Sequence, residues 1–115
     1  MYQKELLKGN TETLLLSILS VESMHGYRIV KEIDQRSSGY FRFKEGTLYP
    51  ALHRLEAAEL IKGYWGQSST GTARRYYSIT PKGQDMLADR LEEWRRFTQA
   101  VNLVMPAWAT QGAIG

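Results

Sequence analysis

Cysteine is absent from the 115 residues, which excludes disulfides, thiolate zinc sites and thiol catalysis together. A reducing compartment fits that composition. Apolar runs such as Leu14–Leu16 are far too short to span a bilayer. The N-terminus MYQKELLKGN lacks the layout of a secretory signal. A cytoplasmic chain without a membrane partner is therefore expected. Histidine occurs only twice, at His25 and His53, in separate predicted helices. No His-x-x-x-His metal pair exists, so neither a metal nor a cofactor is expected.

Other chemistry fares no better. Asp85 and Asp89 lie one helical turn apart on a face crowded with charge, and solvated surface explains them. Gly66 and Gly71 have P-loop spacing without the following Gly-Lys-Ser/Thr, so a turn accounts for both. Ser68, Ser69 and Thr70 have no nearby base and read as loop residues, not nucleophiles. An enzyme is not expected.

What the chain does have is ordinary globular composition, 43% hydrophobic and 23% charged, enough for one domain with a buried core. Net charge is only +3, yet Lys62, Arg74, Arg75 and Lys82 fall within residues 60–84 without an acidic neighbour. That local excess suits a polyanion, or merely a solvated loop. Helical periodicity predicts helices over residues 4–21, 24–36 (capped by Ser23), 47–59 and 81–105. Thr80-Pro81 forms a strong start for the last. Residues 40–44, YFRFK, alternate like a short strand. IKGYWG and ARRYYSIT, joined by QSSTGT, read as a β-hairpin. The order gives an α+β, predominantly helical fold, a winged helix-turn-helix over residues 1–80. A long C-terminal helix occupies 81–105 and a flexible tail 106–115.

The third helix carries the sharpest signal. Turning Leu48, Ala51, Leu52 and Leu55 inward leaves Tyr49, Pro50, His53, Arg54 and Ala57 outward. Such a face suits a DNA major groove, although a solvated helix with a half-buried tyrosine explains it equally well. Further donors cluster around it: Tyr27, Arg28 and Lys31 on the preceding helix, Lys44 and Thr47 at the helix start, and Ser69, Thr70, Arg74 and Arg75 at the hairpin. One duplex touching all of these patches is the DNA-binding expectation.

MHGYRIVKEI (24–33), GTLYPALHRLEAAELI (46–61) and RRYYSITPKG (74–83) together resemble the signature blocks of the PadR family of bacterial transcriptional regulators. The likeness extends over about residues 5–105. A single long helix after the wing is similar to the small PadR subgroup. The resemblance implies a dimeric winged-helix repressor on a palindromic operator, released by a small phenolic or drug-like effector. Tyr49 and its neighbours match the family's DNA-facing block.

On the last helix Leu87, Leu91, Trp94, Thr98, Val101 and Met105 recur at heptad spacing, widened by Phe97 and Val104. Self-association through that stripe makes a homodimer, and the bland alternative packs it on its own chain. Near a two-fold axis Trp94 would face its symmetry mate and hold a flat aromatic ligand, or serve as a plain packing residue. The resemblance to drug-sensing small PadR regulators adds Leu91, Thr98, Leu16 and Glu12 to this effector site.

Overall fold

The computed structural model describes residues 9–109. Helix α1 (Thr11–Val21) leads into β1 (Met24–His25), α2 (Gly26–Arg36) and α3 (Glu45–Ala57). Strands β2 (Ile61–Gln67) and β3 (Ala73–Ile79) form the hairpin, and α4 (Pro81–Val104) closes the chain. The sheet is antiparallel in the order β1-β3-β2, with Met24 opposite Tyr77, His25 opposite Tyr76 and Tyr64 opposite Tyr76. This is the winged helix-turn-helix plan with a long helix attached.

The core collects the apolar stripes of every element. Leu15, Leu16 and Leu19 of α1 meet Ile29 and Ile33 of α2, all four inward residues of α3, and Met24, Ile61 and Tyr77 from the sheet. Helices α1, α2 and α3, with 11, 11 and 13 residues, are too short to hold their shape alone in water, so this shared burial stabilises them.

Three expectations need correction. Residues 40–44 form no strand; Phe43 instead drops its ring into the core. The third strand is Met24–His25, which the periodicity assigned to the second helix. That helix starts at Gly26, capped by His25 and not Ser23, because the His25 Nδ1 accepts the Arg28 N–H at 3.2 Å. The first helix begins at Thr11 with Asn10 at its N-cap, and residues 4–8 lie outside the described residues. Past Pro106 the chain makes one more helical turn over 107–109, and residues 110–115 lie outside the described residues.

Thr80 anchors α4. Its Oγ1 accepts the Gly83 N–H at 3.0 Å and donates to the Glu59 carbonyl at 2.7 Å. Lys82 Nζ donates to the Ala58 carbonyl at 3.0 Å. Gly83 leaves room for the Leu60 carbonyl, which any Cβ would strike. The end of α3 and the start of α4 are therefore locked together.

Candidate nucleic-acid interface

Helix α3 has its aliphatic side sunk in the core and its opposite face exposed. Leu48, Ala51, Leu52 and Leu55 are buried, whereas Thr47, Tyr49, Pro50, His53 and Arg54 are exposed. Lys44, also exposed, is the residue before the first turn. Pro50 falls in the second turn of α3 and cannot donate the N–H that would reach the Gly46 carbonyl in a regular helix.

The two flanks of α3 are held by ion pairs. On the wing side, Arg75 Nη2 donates to Glu56 Oε2 at 2.6 Å, and the guanidinium also approaches the Tyr77 ring, 5.9 Å from its centroid. Gly63 makes that path possible, because a Cβ there would collide with the Arg75 guanidinium. On the α1 side, Arg54 Nε donates to Glu12 Oε2 at 3.2 Å. Both carboxylates fix the arginines and offset part of their charge.

The structure sorts the remaining sequence-predicted donors. Tyr27, Lys31, Ser69, Thr70 and Arg74 are exposed and open to a ligand. At the wing tip Ser68, Thr70 and Thr72 link their hydroxyls at 2.9 and 3.2 Å, which stiffens the turn around Gly71. Arg28 is less available: Glu22 takes both its Nη groups at 2.8 and 3.1 Å, and Glu32 lies 3.5 Å away. The Arg28 hydrogen bond holds the Glu22 carboxyl below its usual range, and the same bond raises Arg28. Arg75, bonded to Glu56, is likewise held above its ordinary value and acts first as a brace for the wing.

Between the start of α2, α3 and the wing lies a cleft of about 200 Å³, lined by His25, Tyr27, Tyr49, Trp65 and Arg74 among others. The Tyr49 hydroxyl reaches over Gly26. His25 and Trp65 in the cleft and Glu56 behind Arg75 were not among the sequence-predicted residues. An unusually exposed indole on a hairpin was the available signal for Trp65, while the other two show themselves only through contacts distant in sequence. His25 packs edge-on to Tyr76 at 5.3 Å, and Tyr76 stacks on Tyr64 at 5.7 Å. Burial among these rings, then the nearby Arg74 and Arg28 charges, push the His25 imidazole below its usual pKa.

Among the described residues no His, Asp or Glu cluster could hold a metal ion, and no helix is long and apolar enough to cross a membrane. A donor-rich helix flanked by a cationic wing is a surface for a polyanion.

Known proteins decide which. The family model described as the transcriptional regulator PadR-like family matches residues 15–89. The chain belongs to the PadR-like family of transcriptional regulators. Members of this family bind DNA. A transcriptional regulator of Mycobacterium tuberculosis is 38% identical over 76 residues, 64% of this chain and 67% of that one. An uncharacterized protein of Lysinibacillus sphaericus is 33% identical over 105 residues, 91% and 96% of the two chains. Among solved structures, a PadR-like transcriptional regulator from Bacillus cereus superposes with a TM-score of 0.78 at 34% identity. That match covers 87% of this chain and 95% of the other. A PadR family transcription regulator from Clostridium difficile gives 0.72 at 40% identity, covering 82% and 96%.

Proposed function

We propose that this PadR-like chain works as a homodimeric repressor on a palindromic operator, released by a planar aromatic effector bound where two α4 helices meet. The observation that carries the reading is the apolar side of α4 beyond Arg90. Trp94 is 50% exposed, Phe97 58% and Val104 85%, and the Trp94 and Phe97 rings stack at 5.8 Å. Water is a poor neighbour for that much contiguous apolar surface, and a second copy would cover it through an isologous contact. Such pairing sets two α3 helices in successive major grooves, about 34 Å apart. In this arrangement residues 1–80 read DNA and, within 81–105, the part of α4 beyond Arg90 joins the copies.

Within the expected effector set, Leu91 and Trp94 stand on the open side of α4. Leu16 is 0% exposed and closed inside the core, so a ligand reaches it only by displacing α1 or α4. The Thr98 hydroxyl already donates back to the carbonyls of Trp94 and Arg95. Glu12 is engaged by Arg54. The effector therefore rests chiefly on indole and leucine surface. A ligand that changes the angle between the two halves needs a coupling energy of only about 1–3 kcal/mol to release the operator.

Sedimentation of the chain alone and with a promoter duplex tests the dimer, and lone subunits under both conditions would remove it. Isothermal titration with planar aromatic ligands tests the effector. Trp94→Ala is expected to abolish that binding while the dimer persists, and an unchanged isotherm excludes the sandwich.

A further inference from the structure

The Glu12–Arg54 pair joins residues far apart in sequence, one in the first turn of α1 and one on the DNA-facing helix. The contact is through Arg54 Nε, the inner nitrogen of the guanidinium. An arginine bound in that way keeps its terminal N–H donors, the pair that forks onto guanine or phosphate. Its side chain remains 59% exposed while Glu12 is 29% exposed, so the cation stands outward on a half-sunk carboxylate. The adjoining residue Thr13 accepts from Arg90 Nη1 of α4 at 3.3 Å. One turn of α1 thus fastens Arg54 on one side and the long helix on the other.

We infer that Glu12 is a positioning residue that sets the DNA-sequence preference of Arg54. The inference rests on the reading of α3 as the base-contacting helix. Two effects act together. The carboxylate restricts a flexible side chain to orientations that leave its forked end forward, which reduces the ordering cost of a base contact. Its negative charge also offsets the guanidinium, so gripping any phosphate is less rewarding than gripping the right base. A glutamate behind a reading arginine trades general affinity for discrimination.

The test is a double-mutant cycle. A duplex enriched from a random pool by the wild-type chain is compared with a scrambled duplex of equal length, using fluorescence anisotropy at fixed salt. Glu12→Gln is expected to lower the ratio of the two affinities about tenfold, the worth of one bidentate base contact. Its affinity for the scrambled duplex rises, about threefold for one removed anionic charge. Arg54→Ala lowers the ratio at least as far, at the same base-pair positions, and adding Glu12→Gln to it lowers the ratio no further. Melting curves by circular dichroism establish that all three variants are folded. A ratio unchanged in Glu12→Gln, or one that falls again in the Arg54→Ala background, overturns the positioning role and leaves DNA recognition by α3 standing. If the random pool yields no enriched duplex, base reading by α3 fails first and the role of Glu12 with it.

Discussion

Leu87 and Leu91 lie one helical turn apart on the same stripe of α4, yet Leu87 is 7% exposed and Leu91 is 46%. The heptad pattern that links them does not distinguish them; the surroundings do. Up to Arg90 the helix lies against α1, and Gly83 and Leu87 close the bottom of the winged core. Arg90 Nη1 ties it to α1 through the Thr13 hydroxyl at 3.3 Å. Past it the helix runs on through four further turns with Trp94, Phe97 and Val104 open. One periodicity thus spans two environments, a packed first part and an open second part that the proposed dimer would cover. The expectation that Leu87 belongs to the dimer seam is corrected accordingly, since its side chain packs on its own chain.

Exchanging equivalent substitutions between the two parts breaks the comparison most directly. Leu87→Ala removes a buried side chain and should destabilise the monomeric fold by roughly 3 kcal/mol, measured by urea denaturation at concentrations too low for pairing. An unaffected midpoint would mean that the first part of α4 adds little to the body. Phe97→Glu should do the reverse. The fold of the winged body survives, because that side chain has no buried place in it, while a carboxylate forced into a dimer seam weakens pairing about 100-fold. Sedimentation equilibrium reads this change. If Phe97→Glu leaves the dimer as tight as before, the seam lies elsewhere.

The same contrast explains what the sequence made legible. Elements with a clear period and a near neighbour were readable: α3 with its four buried residues, the β2–β3 hairpin, and Thr80-Pro81 at the start of α4. Strand β1 was not, because two residues carry no period and become a strand only by lying beside β3. The donor surface was legible by residue type, since exposed cations announce themselves. Its electrostatic bracing was hidden, because Glu12 and Glu56 reach Arg54 and Arg75 across the fold. Residue type nominated Arg28 as a phosphate contact, and geometry gives it first to Glu22 and Glu32.

The smallest expected effect concerns pH and belongs to the winged body alone. The His25 imidazole caps α2 through Nδ1, which has a lone pair to offer only while that nitrogen is unprotonated. Burial and then Arg74 and Arg28 hold its pKa below the ordinary 6.5, so the folded chain binds this proton less readily than the unfolded one. The stabilisation is therefore complete above about pH 6.5 and declines as pH falls from there toward the depressed folded value. The cap at stake is worth about 1 kcal/mol. Melting curves between pH 7.5 and pH 5, pH values chosen to bracket about 6.5, should show a loss in the wild type that shrinks in His25→Asn, which caps without titrating. Affinity of the proposed dimer, whose seam would lie on α4 beyond Arg90, should not follow that curve. Parallel pH dependence of both would mean that the winged body and the distal part of α4 are coupled more tightly than their packing suggests.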